Sequence, residues 1–208
     1  MKRIWKREDI VMKKRQFLPI LVLILVFALT IGVSAAGFTD VSSDAYYADA
    51  VNWAVSKGIT NGTSDTTFSP DDSCTRAQMV AFLWRCAGSP KAEGSNPFAD
   101  VHSGDYYYDA VLWAVEKGIT KGVTDTTFEP NTTCTRAHIV TFLFRAAGEP
   151  VLADAELTYV DVPAGEWYTV PVIWADSARI TNGVDETHFA PMSECTRAQI
   201  VTFLYRAA

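Results

Sequence analysis

Arg76, Arg136 and Arg197 are the side chains best placed for chemistry, and they stand 60 and 61 residues apart. Each follows a threonine (Thr75, Thr135, Thr196) that reads as a helix N-cap, which puts the arginine at the first helical position. A cation there opposes the helix macrodipole at a cost of about 0.3–1 kcal/mol, so three of them call for compensation. A bound carboxylate would provide it, because a helix N-terminus offers free N–H groups to an anion. The guanidinium adds a planar fork that grips a carboxylate with two bonds. An acid of the protein itself would serve too, and Asp40, Asp100 and Asp161 are the candidates.

Other residues recur in step with the arginines. Trp53, Trp113 and Trp174 read first as filling the interface between helices, while their faces also offer a surface on which a sugar ring can stack. Asn61-Gly62, Lys121-Gly122 and Asn182-Gly183 sit on loops, where the polar side chains can hydrogen-bond ligand hydroxyls. Turn formation by Asn-Gly accounts for two of these pairs without a ligand. His102, His138 and His188 occupy non-equivalent positions with no metal-ligand spacing, so they read as incidental and no metal or cofactor is expected. No nucleophile–base pair stands out, and the chain reads as a binding protein, not an enzyme.

The elements that carry these residues form a repeat. Phe38-Thr39-Asp40-Val41 returns as Phe98-Ala99-Asp100-Val101 and Tyr159-Val160-Asp161-Val162. Ile59-Thr60-Asn61-Gly62, Phe68-Ser69-Pro70 and Cys74-Thr75-Arg76-Ala77 each return twice in the same register. Boundaries at 37–92, 93–153 and 154–208 are expected, the three copies together making one domain. Each copy reads as helix–loop–helix. The first helix, about Tyr46 to Lys57, has an apolar stripe of Ala50, Val51, Ala54 and Val55 and stops at Gly58. The second opens on a Thr-x-x-Gln capping box at Thr75–Gln78 and Thr196–Gln199; His138 replaces the usual partner of Thr135. Second helices such as Met79–Trp84 are apolar almost all round, which suits the middle of a domain. The expected fold is therefore all-α, three helix-loop-helix repeats about a pseudo-threefold axis with a central three-helix bundle and a cleft between adjacent copies. The third copy diverges most, with Pro171 in its first helix and Ala178-Arg179 in place of Lys-Gly.

Residues 1–36 stand outside the repeat. Seven Lys or Arg precede an apolar run from Phe17 to Val33, and Ser34-Ala35-Ala36 supplies small residues at a cleavage-site spacing. This is the layout of a secretory signal peptide, with a membrane anchor as the competing reading. Translation from Met12 would give a signal of more ordinary length. Without this segment 11 basic and 22 acidic residues remain, a formal charge of −11. Such a chain does not bind nucleic acid or an anionic surface through its overall field; an anionic ligand has to meet a few positioned cations.

Cys74, Cys134 and Cys195 share one repeat position, and Cys86 stands alone. Four cysteines in a secreted chain raise the question of disulfides. Sites separated by a helix bundle would lie beyond the roughly 4.4–6.8 Å Cα distance a bridge requires, so buried thiols are expected.

With its Phe-x-Asp-Val opening, Trp-Ala before Gly-Ile-Thr, Phe-x-Pro and Thr-Arg-Ala, the sequence resembles three tandem S-layer homology motifs covering Phe38 to Ala208. The resemblance implies a three-pronged spindle around a helical core. It also implies that grooves between prongs bind secondary cell-wall polysaccharide through a pyruvylated amino sugar, whose ketal carboxylate would meet the arginines. Attachment of a secreted protein to the wall of a Gram-positive-type bacterium follows, with no nucleic-acid partner. A structural module that binds another surface protein or itself is the alternative. The family's usual Glu after Thr-Arg-Ala is here Gln78, His138 and Gln199, which bears on the ligand more than on the fold.

Overall fold

A computed structural model describes residues 37–152, 156 and 158–208. The expected signal peptide and the possible start at Met12 lie outside the described residues. Residues 37–208 fall in one compact unit, with six α-helices among the described residues: α1 (Ala48–Ser56), α2 (Arg76–Cys86), α3 (Tyr108–Glu116), α4 (Arg136–Ala146), α5 (Thr169–Ser177) and α6 (Arg197–Ala207).

The first helix of each copy is short and ends for a backbone reason. In α1 the Gly58 amide donates to Val55 and the Ile59 amide to Ala54, with Gly58 left-handed at φ +67°. This pairing satisfies two of the carbonyls a helix end leaves free. Helix α5 ends the same way on Arg179, which holds φ +59° despite its side chain. Pro171 fits α5 because it is the third helical residue, where no intrahelical N–H bond is lost.

The second helices start on complete capping boxes. Thr75 accepts from the Gln78 amide at 3.3 Å while Gln78 Oε1 accepts from the Thr75 amide at 3.0 Å, and Thr196–Gln199 repeats this. His138 completes the box as well, its Nδ1 facing the Thr135 amide at 3.2 Å. The sequence reading, which had Thr135 without the box's usual partner and the histidine incidental, is sharpened: a ring nitrogen can accept where a carboxamide oxygen would.

Packing runs from each copy to the next. Helix α3 lies on α2, α5 on α4, and α1 on α6, so the first copy closes onto the third; α4 also meets α6. The second helices carry the core as their all-round apolarity predicts, with Met79, Ile139 and Ile200 fully buried. At their N-termini the three copies join through a ring of backbone bonds: Cys134 N–H to Cys74 O (2.8 Å), Cys195 N–H to Cys134 O (2.9 Å) and Cys74 N–H to Cys195 O (3.1 Å). The cysteines are thus neighbours, and the expectation that helices hold them apart is corrected. All four thiols are nevertheless free, and three are fully buried. Burial pushes the Cys134 and Cys195 thiols up to about 12, so they stay protonated and pack as small apolar groups.

Candidate functional site

The loop between the two helices of a copy forms one wall of a groove. Thr60, Thr120 and Thr181 are buried, and each hydroxyl accepts from the amide two residues on, at Gly62, Gly122 and Gly183, all at 3.2 Å. The glycine is required by close approach: a Cβ on Gly62 would lie 2.5 Å from the Thr67 carbonyl and 2.6 Å from the Phe38 ring. Phe98 presses on Gly122, and Tyr159 on Gly183, in the same way. The aromatic of the Phe-x-Asp-Val opening therefore fixes the loop, and Asn61, Lys121 and Asn182 remain exposed just before it.

The aspartate of that opening has a different partner from the arginine the sequence suggested. Asp40 accepts from the amides of Phe68 (2.8 Å) and Ser69 (2.7 Å), which holds Ser69 left-handed at φ +55°. Asp100 and Asp161 take the equivalent pairs. Burial works to raise the Asp40 carboxyl, and the two amides outweigh it, so its pKa is lowered.

The arginines go elsewhere. Arg197 Nε donates 2.9 Å to the Phe68 carbonyl, Arg76 Nε to Phe128 (2.8 Å) and Arg136 Nε to Phe189 (2.7 Å), always into the next copy around the ring. Each guanidinium also lies between two phenylalanine rings; for Arg197 these are Phe68 at 4.9 Å and Phe82 at 5.6 Å. A carbonyl and two π faces thus compensate the cation where a bound acid was one candidate. All three arginines are only 4 % exposed, and two of them, Arg136 and Arg197, line the floors of grooves. Burial lowers their pKa values, yet a guanidinium stays charged at neutral pH. Compensation is incomplete, because Nη2 of Arg76, Arg136 and Arg197 is buried with no hydrogen-bond partner.

Two grooves open at two of these arginines, Arg197 and Arg136. The one over Arg197, of about 360 Å³, is walled by Asn61, Gly62, Gln78, Phe82 and Arg85 of the first copy and Tyr106 of the second. The other, over Arg136 and of about 370 Å³, is walled by Asn182, Gly183, Gln199, Phe203 and Arg206 of the third copy and Tyr46 of the first. Each groove draws on all three copies. No Asp or Glu lines either one, although the described chain is strongly acidic, so each is a local cationic site. The volumes suit one or two sugar rings. Partial burial raises the Tyr46 and Tyr106 phenols, which remain O–H donors.

Arg136 meets Asn182-Gly183 in one groove, and Arg197 meets Asn61-Gly62 in the other. Lys121, Gly122 and Arg76 occupy the equivalent positions around the second copy. The tryptophans line neither groove. Trp113 and Trp174 are 7 % and 6 % exposed, and Trp53 packs on Tyr205 at 5.6 Å. Flat and apolar, they fill the seam between a first helix and the second helix of the preceding copy, the second of the two roles the sequence offered them being left to other side chains. The aromatics at the grooves are Tyr46 and Tyr106, 66 % and 60 % exposed. Sequence reasoning missed them, although their recurrence at 46, 106 and 167 (Trp167) was available as a signal.

Residues 37–80 and 97–139 match the S-layer homology domain. The matched stretches fall within the first two copies, and the third shares their capping box, aspartate clamp and arginine contact. The chain is 36 % identical over 59 % of its length to a cell surface protein of Thermoanaerobacter kivui, covering 18 % of that protein. It is 36 % identical over 58 % of its length to the surface-layer 125 kDa protein of Lysinibacillus sphaericus, covering 10 % of it. A cellulosome-anchoring protein of Acetivibrio thermocellus is 28 % identical over 64 % of this chain, with 31 % of that protein covered. The chain thus spans less than a third of the length of these relatives.

Proposed function

This is an S-layer homology domain protein, and from that premise we propose that it attaches to the bacterial cell wall by binding secondary cell-wall polysaccharide in its inter-copy grooves. The observation that carries the reading is the unpartnered, buried Nη2 of Arg136 and Arg197 beneath acid-free grooves. A buried polar donor left without a partner costs about 1–3 kcal/mol, and a ligand carboxylate removes that cost. The ketal carboxylate of a pyruvylated amino sugar meets the guanidinium, Tyr46 or Tyr106 covers the face of the ring, and Asn182 or Asn61 reaches its hydroxyls. Attachment at the cell surface accords with the names of the relatives, a cell surface protein, a surface-layer protein and an anchoring protein.

The test is a pull-down on purified walls. Binding is expected to survive extraction of wall proteins and to vanish when the ketal pyruvate is removed by mild acid. Binding that persists on depyruvylated polymer overturns the ligand assignment. Binding lost on protein extraction moves the partner from glycan to protein.

A further inference from the structure

By repeat equivalence a third groove belongs over Arg76, and its residues differ: His138 stands where the two grooves above have Gln78 and Gln199, and Trp167 where they have Tyr106 and Tyr46. His138 cannot turn aside, because Nδ1 caps α4 at Thr135 and fixes the plane of the ring. The fixed face meets the Trp167 indole, with centroids 5.1 Å apart and planes 32° from parallel. Trp167 is 48 % exposed, less than either tyrosine. Arg76 Nη2 is buried and unpartnered like its two equivalents, and its charge lies near enough to His138 to lower the imidazole pKa.

Resting on the glycan-binding reading above, we propose that the chain is bivalent: the grooves over Arg197 and Arg136 take the glycan, and the one over Arg76 is shut by Trp167 lying on His138. A ligand entering the third groove must first pull the indole off the imidazole, which weakens it there by about tenfold relative to the open grooves. Two sites on one chain still give avidity on a repeating polymer. The distinction lies in two side chains, so the third site can be opened by substitution.

Calorimetric titration of the chain with the methyl glycoside of a pyruvylated N-acetylated amino sugar tests this. Two tight sites and a third about tenfold weaker are expected for the wild type, and three alike for His138→Gln/Trp167→Tyr, with the third lost on adding Arg76→Ala. Three equal sites in the wild type overturn bivalence, and a double variant whose third site stays weak overturns the stack as its cause. Failure of every groove to bind would sink the glycan reading instead. The occlusion is then judged on its own by NMR: the His138 ring protons should be shifted upfield by the indole and return on Trp167→Ala, and their lying unshifted in the wild type refutes the stack.

Discussion

Arg197 Nε and the carbonyl of Phe68 lie 2.9 Å apart across 129 residues of sequence, joining the last copy to the first. The amide of the same Phe68 is held by Asp40. One residue is thus gripped on its N–H by its own copy and on its C=O by another, which couples groove floor and fold. Arg197→Ala strands a buried carbonyl and loses a charge-assisted bond, so urea unfolding should show a loss of about 2–3 kcal/mol. Wall binding through that groove should fall in parallel. Lysine lacks the Nε–H and spare Nη2 pair, so Arg197→Lys should recover little of either. An Arg197→Ala protein of wild-type stability contradicts the grip described here.

Stability and binding should separate at the aromatics. Tyr46→Ala and Tyr106→Ala remove exposed rings and should change stability by no more than about 0.5 kcal/mol while weakening glycan binding roughly tenfold. Trp113→Ala should do the reverse, costing about 3–5 kcal/mol by emptying a buried seam. Parallel denaturation and wall-binding curves for the three variants decide the matter.

Arg179 occupies a left-handed position that Gly58 and Gly118 fill in the other copies. A side chain at such a φ costs about 1–2 kcal/mol, against which glycine brings extra unfolded-state entropy. Arg179→Gly should therefore raise stability by about 0.5–1 kcal/mol, seen as a higher melting temperature. No gain would mean that the arginine side chain makes a compensating contact.

His138 gives the fold a mild acid sensitivity. Burial, and then the nearby Arg76 charge, hold its pKa below 6.5. The unfolded chain therefore takes up the proton first as pH falls. The stability tied to neutral His138 is complete above pH 6.5 and declines as pH drops from there through the folded value. Protonation also removes the Nδ1 acceptor that completes the cap on α4. The melting temperature of wild type should fall relative to His138→Gln as pH drops below about 6.5, and parallel profiles would refute this.

The thiols provide a direct check on the ring at Cys74, Cys134 and Cys195. Unfolded without reductant, the protein should give four reactive thiols with Ellman's reagent. Folded, the three buried cysteines should stay silent, since burial both shields them and suppresses the thiolate. Fewer than four on unfolding means a bridge has formed.

Much of this was legible in order along the chain. Helix ends are set by neighbours in sequence, so Gly58, the Thr75–Gln78 box and the apolar second helices could be read directly, as could the loops bearing Asn61-Gly62 and Asn182-Gly183. Even there chemistry misled where an unusual residue fills an ordinary role, as His138 does in accepting for Thr135. The repeat marked the arginines as special through equivalence alone.

What sequence could not supply was which copy each side chain answers to. A motif repeated three times looks the same whether Arg76 serves its own copy or the next, and whether a tryptophan faces a groove or a seam. Those choices turn on contacts 52, 53 and 129 residues apart, made only once the first copy closes on the third. Closure brought the cysteines together, sank the arginines beneath the clefts and carried Tyr46 to a wall built by the third copy. The sequence by itself determined three alike helical units with a cation in each; the tertiary structure decided that every groove is shared, because a buried guanidinium needs a carbonyl and π faces that its own copy does not place within reach.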